Sequence, residues 1–332
     1  MIEQSRTATK ENCITIFLKL NGNNCNMKCS YCYSHVDKNK IVIDKSKIVS
    51  DTISYLSKFK DYEHVLIVFH GGEPLLSDVI EIREILTFII SNFHNTLNIQ
   101  LQTNGTLIDE NWIQLFKDFK EYLSLSISLD PIGEKNLRVY PPSSSYNDVF
   151  QNIILCNNEL RNVGVISVIH KYNKNYILDF IDNLVNNNIK SLTINKLQFN
   201  NFPYNFDYGI SEMEYVDVLI DILKYYIKKN IYKKIYIQPI NALLSQKTNK
   251  ICRFLADQNK CKYFNTFFNL NDYSEFCDHI TNNTLPLIEE KCLHCDIYSK
   301  CGSGCLIEYK DDTFCEARRK LFRFIGGIRN DN

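Results

Sequence analysis

The 332-residue chain carries no excess of charge of either sign, because 38 Lys and Arg residues balance 38 Asp and Glu residues. Without a surplus of positive charge, nothing favours electrostatic capture of nucleic acid or of an anionic membrane surface. The basic run at residues 318–320 is short and typical of a solvated helix face. We therefore expect neither nucleic acid nor a membrane among the partners of the protein.

The chain also lacks a long apolar segment. No window approaches the roughly 18 uninterrupted apolar residues of a membrane span, and the first ten residues are polar, without the apolar region of a signal peptide. We therefore predict a cytoplasmic protein. With 45% hydrophobic and 23% charged residues, it has the composition of a globular protein with one or two domains and a large core.

Cysteine, by contrast, is abundant. Disulfides are not expected in a reducing compartment, so the 13 cysteines favour metal or cluster ligation. Cys25, Cys29 and Cys32 form a C-x3-C-x2-C array in a segment that we call the cysteine loop, residues 24–33. Three such thiolates can hold three irons of a 4Fe–4S cube and leave the fourth iron open to a small molecule. Two alternatives are a tetrahedral zinc site that uses His35 and a set of ordinary buried thiols.

A second group of eight cysteines lies in the last third of the chain. Residues 292–305 read C-x2-C-x5-C-x3-C, and nine residues separate the last of these cysteines from Cys315. Eight cysteines make two sets of four. Zinc ribbons are the competing interpretation, since C-x2-C pairs also bind zinc. A chain that already has one predicted cluster favours iron and sulfide.

Hydrophobic patterning predicts an alternation of strands and helices up to residue 200. Strands are predicted over residues 13–20, 64–70, 97–102, 122–129, 163–169 and 191–197. Helices are predicted over residues 44–60, 77–93, 109–120, 146–160 and 174–187, with Asp44 and Asp109 as N-caps. This regularity favours parallel βαβ units, in a closed or partly open barrel or in a doubly wound sheet. Beyond it, an irregular aromatic segment precedes a helix over residues 212–229, and residues 232–244 are predicted to hold a short strand and a turn.

Chemically distinctive motifs follow four of the predicted strands. The cysteine loop follows the first strand, and residues 70–74, 102–105 and 128–131 follow the next three. In both candidate architectures the site lies at the carboxyl ends of the strands, so these motifs share one edge. The Gly-Gly and Asn-Gly pairs could be ordinary turns. Alternatively, the glycines allow close backbone approach to a ligand, and Glu73 can receive an ammonium group.

The cysteine loop, with Tyr31 before its last cysteine, and the Gly-Gly-Glu-Pro motif of residues 71–74 together resemble the radical S-adenosylmethionine (SAM) superfamily. The resemblance implies an α/β fold, a partial (βα)6 TIM-like barrel. It implies that the open iron binds the amino and carboxylate groups of SAM. One electron then splits SAM to a 5′-deoxyadenosyl radical, which abstracts a hydrogen atom.

The resemblance also assigns roles to residues of this sequence. The implied cluster ligands are Cys25, Cys29 and Cys32. The implied SAM contacts are Tyr31 with the adenine, Gly71, Gly72 and Glu73 with the methionine amino group, Ser128 with the ribose, and Arg138 with the methionine carboxylate.

The second cysteine group resembles the SPASM extension of radical SAM enzymes that modify peptides and proteins, which carries two auxiliary 4Fe–4S clusters. The resemblance implies Cys252, Cys261, Cys277 and Cys305 as ligands of the first, and Cys292, Cys295, Cys301 and Cys315 as ligands of the second. Cys13 and Cys156 remain as core thiols. The family usually has Gly where this chain has Asn271-Asp272, but both residues tolerate left-handed turns, so we expect the hairpin to form.

These assignments imply a division of the chain into four parts. We predict a barrel over residues 1–200, a bridging linker and helix over residues 201–250, a SPASM domain over residues 251–320 and a C-terminal tail over residues 321–332.

The resemblance implies an oxidoreductase that acts on a side chain within a peptide or protein. The leading hypothesis is maturation of a ribosomally synthesised precursor peptide, leader plus core, by a thioether or carbon–carbon cross-link, with the auxiliary clusters taking the second electron. An external low-potential donor such as flavodoxin or ferredoxin is then required. Only 24 residues precede Cys25, so a separate leader-recognition protein is a further candidate partner.

Two other functions are compatible with parts of the sequence. An anaerobic sulfatase-maturing enzyme, which oxidises Cys or Ser to formylglycine, is suggested by residues 101–110 and by Cys277-Asp278, where Asp278 would be the catalytic base. Against it, residues 281–291 are short and lack the expected L-G-N segment, and Asp278 has an ordinary turn interpretation. A non-catalytic iron–sulfur electron-transfer protein would not explain the Gly-Gly-Glu motif or the strand–helix alternation.

Overall fold

The computed structural model describes residues 13–32, 45–93, 96–160, 162–197, 207–245, 265–269, 290–301 and 310–330. The strands in these ranges are β1 (Cys13–Lys19), β2 (His64–Phe69), β3 (Thr96–Thr103), β4 (Leu123–Ser128), β5 (Val163–Ile169), β6 (Ser191–Lys196), β7 (Tyr236–Gln238) and β8 (Asn265–Asn269).

The helices surround this sheet and connect its strands. They are α1 (Ile48–Leu56), α2 (Val79–Asn92), α3 (Glu110–Asp118), α4 (Tyr146–Glu159), α5 (Ile177–Asn186), α6 (Glu212–Lys228), α7 (Ile240–Ser245), α8 (Glu290–Leu293), α9 (Tyr298–Cys301) and α10 (Phe314–Asn330). None of the helices in the described ranges is both long enough and apolar enough to span a membrane.

The sheet is parallel throughout and its strand order is β7-β6-β5-β4-β3-β2-β1-β8. From β1 to β7 each strand lies next to its successor, so the order has no reversal of the kind that defines a doubly wound sheet. Strand β8 pairs with β1, and no pairing among the described residues joins it to β7. The partial barrel predicted from the sequence is confirmed. Strand β7 lies where a short strand is predicted after the six strands of the barrel, and β8 is a further strand.

The predicted strands and helices form where their side-chain periods place them. Strand β5 alternates buried and half-buried residues, because successive side chains of a strand point to opposite faces. Helix α5 buries Ile177, Phe180, Ile181 and Leu184, the spacing of one helix face. Cys156 is completely buried on α4 and belongs to this core, as predicted for a core thiol.

Side-chain caps fix where several helices begin. The predicted cap at Asp109 is confirmed, since its carboxylate accepts a hydrogen bond of 3.0 Å from the Trp112 amide. Asp78, Ser145 and Ser211 form capping boxes at the starts of α2, α4 and α6. The predicted cap at Asp44 lies outside the described residues.

The C-terminal region differs from the predicted tail. Residues 321–330 continue helix α10, which packs along α6 and buries Leu321, Phe322 and Ile325. These apolar residues recur at helical spacing, so the segment has a face to bury despite its basic composition. Strand β7, in the segment predicted as a bridge, extends the sheet by pairing with β6.

Candidate active site at the carboxyl edge of the sheet

The Gly-Gly-Glu turn after β2 packs directly on the cysteine loop that follows β1. The Gly72 amide donates to the Gly22 carbonyl, and the Glu73 amide donates to the Asn24 carbonyl, each at 2.8 Å. A Cβ atom on Gly72 would lie 1.8 Å from the Asn24 oxygen, and Gly71 has φ of +114°. Only glycines permit this contact. The close approach that the sequence suggests for a ligand is therefore made, at Gly72, to the backbone around the cysteine loop.

The carboxylate of Glu73 has no exposed surface. It accepts hydrogen bonds from the Leu75 amide at 3.0 Å, the Thr103 hydroxyl at 2.6 Å and the Asn104 amide at 2.7 Å. Burial raises its pKa, while these donors act in the opposite direction. The side chain thus joins the turn after β2 to the end of β3. The contact of this carboxylate with an ammonium group stays a prediction.

The three thiols of the cysteine loop are all half-buried. The Cys25 sulfur accepts from the Met27 amide at 3.4 Å and from the Asn104 side-chain amide at 3.6 Å. Burial raises the pKa of Cys25 to about 11 and also raises that of Cys29, although the nearby Arg138 guanidinium acts against the second shift. Without bound metal these two thiols therefore hold their protons at neutral pH, and metal binding must release them.

The zinc alternative finds no support in the described residues. Among them, no three Cys, His, Asp or Glu side chains converge on a point that one metal ion could occupy, and His35 lies outside the described ranges. A 4Fe–4S cube requires a different arrangement, because each thiolate binds a separate iron of the cube. Three part-exposed thiols on one loop are compatible with that group.

A buried polar network lies beside the cysteine loop. The Tyr31 hydroxyl donates to Asp130 Oδ2 at 2.6 Å, and Arg138 Nη1 donates to the Tyr31 oxygen at 3.2 Å. Arg138 is 7% exposed, yet its Nε is buried and has no hydrogen-bond partner in the described part of the chain. Such an unsatisfied donor is rare in proteins and fits an absent anionic ligand, such as the carboxylate of SAM.

Asp130 and His170 are site residues that the sequence reasoning did not select. Asp130 also accepts from the Val168 amide at 2.8 Å, which joins the ends of β4 and β5. Burial raises its pKa, while Arg138 and the hydrogen bonds from Tyr31 and Val168 act in the opposite direction. Its position two residues after Ser128, on the same face of the chain, was the available signal. Ser128 itself is half-buried at the end of β4.

His170 follows β5 and is 1% exposed. Its ring lies 6.2 Å from that of Tyr31, between centroids, and its Nδ1 accepts from the Tyr172 amide at 3.2 Å. Burial lowers its pKa to about 4, so the imidazole is neutral at physiological pH. Like the four motifs noted above, it stands at the carboxyl end of a strand.

Four of the eight C-terminal cysteines are described. Cys292, Cys295 and Cys301 are half-buried and Cys315 is exposed. The Cys295 amide donates to the Cys292 carbonyl at 3.2 Å, and Arg319 on α10 donates from Nη2 to the Cys295 sulfur at 3.6 Å. The loop of Cys295 therefore lies against the helix that carries Cys315. The other predicted residues, Cys252, Cys261, Cys277, Cys305 and Asp278, lie outside the described residues.

Comparison with known proteins agrees with this geometry. The family model of the radical SAM superfamily matches residues 22–184. The chain is 26% identical to a cysteine-type anaerobic sulfatase-maturating enzyme of Clostridium novyi, over 93% of this chain and 94% of that enzyme. It is 27% identical to the serine-type enzyme of Bacteroides thetaiotaomicron, over 50% of this chain and 42% of the relative.

Solved structures share the fold. The chain superimposes on anSMEcpe with bound AdoMet and Cp18Cys peptide with a TM-score of 0.71 and 16% identity, covering 96% of this chain and 99% of that one. It superimposes on Streptococcus suis SuiB bound to S-adenosylmethionine with a TM-score of 0.58 and 14% identity, covering 91% and 77% respectively.

The Gly72 contact gives a first prediction. We expect Gly72→Ala to lower the free energy of unfolding by about 2–4 kcal/mol, because the new methyl group must displace a backbone carbonyl. Iron binding should fall with it, since the cysteine loop must shift. Gly327→Ala is the control, because its new Cβ would meet nothing within 4 Å. Ala favours a helix over Gly, so this change should raise the free energy of unfolding by about 0.5–1 kcal/mol. Urea denaturation and iron analysis measure both effects; equal stability of the Gly72 variant and wild type would contradict the contact.

His170 gives a prediction about pH. Its pKa is about 4 in the folded protein and about 6.5 when unfolded, so between these values the unfolded chain binds more protons. Stability should therefore fall as pH is lowered through this window, by a limit of about 3 kcal/mol from His170 alone. His170→Gln removes that contribution. Denaturation curves from pH 7 to pH 4 should show a shallower loss in the variant, and parallel curves would count against the burial argument.

Proposed function

We propose that this chain, which belongs to the radical SAM superfamily, oxidises a side chain within a peptide or protein substrate. Membership of that superfamily implies SAM and a 4Fe–4S cluster as cofactors. When bound, they supply the 5′-deoxyadenosyl radical that abstracts a hydrogen atom. The observation that carries the proposal is the meeting of three thiols, a glycine turn and the unpartnered Arg138 Nε at one edge of the sheet.

The roles of the site residues follow from their positions. Cys25, Cys29 and Cys32 hold the cluster, and Arg138 holds the carboxylate of SAM through its free donor. Tyr31 and Ser128 contact the adenine and the ribose, as the family resemblance implies. For the amino group, Gly71 and Gly72 offer main-chain carbonyls. Glu73 holds the turn in place, because its carboxylate accepts hydrogen bonds from Leu75, Thr103 and Asn104.

The C-terminal cysteines hold two auxiliary 4Fe–4S clusters in this proposal. Cys292, Cys295, Cys301 and Cys315 bind one of them, and Cys252, Cys261, Cys277 and Cys305 bind the other. The approach of Arg319 to the Cys295 sulfur supports the group that contains Cys295, since hydrogen bonds to cluster sulfurs commonly tune the reduction potential of such centres.

The leading substrate is a ribosomally synthesised precursor peptide. Loss of one hydrogen atom leaves a carbon radical. A cross-link forms when that carbon bonds to a thiol sulfur or another carbon, while a proton leaves to a base and one electron passes to an auxiliary cluster. The peptide loses two hydrogen atoms in total. An external low-potential donor reduces the cluster that cleaves SAM, and a separate protein can present the leader. The shared fold with SuiB, solved in complex with precursor peptide SuiA, supports this substrate class.

A second candidate is conversion of a sulfatase Cys or Ser to formylglycine. The observation that favours it is that similarity to the Clostridium novyi enzyme runs over nearly the whole of both chains. In this reaction the carbon–heteroatom double bond would form as Asp278, the proposed base, takes the thiol or hydroxyl proton and an auxiliary cluster takes one electron. For Cys, water would then replace the sulfur, which would leave as hydrogen sulfide. The two candidates share the radical step and differ in how the radical is consumed.

The cluster assignments are tested by iron content and SAM cleavage. Anaerobic reconstitution should load about twelve irons per chain if all three clusters are cubes. Cys32→Ala should abolish formation of 5′-deoxyadenosine under a strong reductant, since the cubane would lose one of its three protein ligands. Cys156→Ala, which removes a buried core thiol, is the control and should keep both properties. Zinc in place of iron, or undiminished SAM cleavage by the Cys32 variant, would refute the proposal.

The substrate is tested with two peptides, a precursor encoded beside the gene and a sulfatase segment containing Cys or Ser. Mass spectrometry after treatment with an aldehyde-reactive hydrazide distinguishes the two products. Ser-to-formylglycine conversion also removes two hydrogen atoms, but only the formylglycine aldehyde takes up the hydrazide. For the second product, Asp278→Asn should lower the rate by about a hundredfold or more, while SAM cleavage persists. A near-normal rate in that variant would exclude Asp278 as an essential base.

A further inference from the structure

Three charged side chains meet in the interior where β6, α6 and α10 join. The Glu212 carboxylate lies 2.6 Å from Lys196 Nζ through Oε2 and 2.6 Å from Arg318 Nε through Oε1. The side chains of Lys196, Glu212 and Arg318 are only 7%, 1% and 2% exposed. Lys196 is the last residue of β6, Glu212 is the first residue of α6, and Arg318 lies in the second turn of α10. We call these three residues the ion triad.

Hydrogen bonds from main-chain amides to side chains attach the segment before α10 to the start of α6 at the same place. The Glu212 amide donates to Asp311 Oδ2 at 2.8 Å, and the Met213 amide donates to the Thr313 hydroxyl at 3.2 Å. Helix α6 already has its own capping box from Ser211 and Glu214. The additional acceptors therefore fix where the C-terminal segment sits, at the carboxyl end of β6 and so on the same edge of the sheet as the cysteine loop.

The energetics of the ion triad favour a role in geometry over one in stability. Burying charges removes them from water, and apolar replacements of buried ion triads are often as stable or more so. The triad is also incompletely satisfied. Arg318 Nη1 is buried without a hydrogen-bond partner among the described residues, and the 2.6 Å contact of Arg318 Nε with Glu212 Oε1 lacks hydrogen-bond geometry. An exposed ion pair, Lys320 with Asp217, joins the same two helices without this desolvation. What the triad adds is one defined register of α10 against the barrel.

That register determines where the predicted second auxiliary cluster lies. Cys315 is three residues before Arg318, one turn back along α10, and the next residue, Arg319, contacts the Cys295 sulfur. We propose that the ion triad of Lys196, Glu212 and Arg318 is a positioning device that holds the cluster-bearing helix α10 at the carboxyl edge of the barrel. This inference rests on the proposed function, since it assigns Cys315 to an auxiliary cluster.

The test compares Glu212→Gln with Asp217→Asn in the full chain. Both changes neutralise an acidic residue of α6 that pairs with a basic residue of α10, but only the first is buried. We expect Glu212→Gln to lose about four of about twelve irons, the content of one cube. Glu212→Gln protein that keeps its irons should form about tenfold less product per 5′-deoxyadenosine and show an altered auxiliary-cluster EPR signal, because a displaced acceptor no longer takes the second electron. Asp217→Asn should match wild type in each measurement.

A folded variant without the charges separates positioning from stability. The triple change Lys196→Met, Glu212→Met and Arg318→Met replaces the buried charges by apolar side chains of similar length, a kind of replacement that buried triads tolerate. It should unfold near the wild-type temperature and still lose iron or form less product per 5′-deoxyadenosine, a ratio that we call coupling. If it, or Glu212→Gln, retains the wild-type iron content, EPR signal and coupling, the inference is overturned. If wild type itself loads only about four irons, the auxiliary clusters of the proposed function fail instead.

Discussion

The candidate site depends on a contact that leaves no room for a side chain. Gly72 lies so close to the Asn24 carbonyl that the cysteine loop and the turn after β2 meet backbone to backbone. Because main-chain hydrogen bonds have few alternative geometries, this contact fixes the loop more strictly than side-chain packing would. The Glu73 carboxylate then joins the turn to β3, and Asn104 at the end of β3 reaches the Cys25 sulfur. The ends of three strands are thereby held as one unit.

Electrostatic interactions at these strand ends favour the protein with a cluster and an anionic ligand bound over the protein without them. Burial raises the pKa of Cys25 and Cys29, so their thiolates are disfavoured without a metal. Arg138 brings a buried positive charge with one unused donor to the same place. A bound cluster supplies the positive charge that the thiolates need, and a carboxylate ligand supplies the partner that Arg138 needs. Each group that is costly alone is compensated when cluster and ligand are both present.

The sequence predicts this architecture well where a local signal exists. Side-chain period predicts β5 over its observed range, and the cap at Asp109 forms as expected, because both depend on neighbours in the chain. The same reasoning predicts a tail over residues 321–332, whereas residues 321–330 belong to helix α10, because the face that α10 buries is set by its partner α6. Asp130 and His170 were missed for a similar reason: their roles come from contacts with Tyr31, which lies far away in sequence.

The two cysteine regions are fixed to the barrel by different physical means. The cysteine loop is held by main-chain hydrogen bonds and glycines, which tolerate almost no change of residue at Gly72. Helix α10 is held by apolar packing, which allows several registers, and by buried charges, which allow few because each displaced charge would be left unpaired in the interior. Electron transfer weakens steeply with distance, so the proposed auxiliary cluster would be useful only at a defined separation from the substrate. The ion triad at the end of β6 would fix this separation for helix α10, because the apolar face of α10 alone allows several registers.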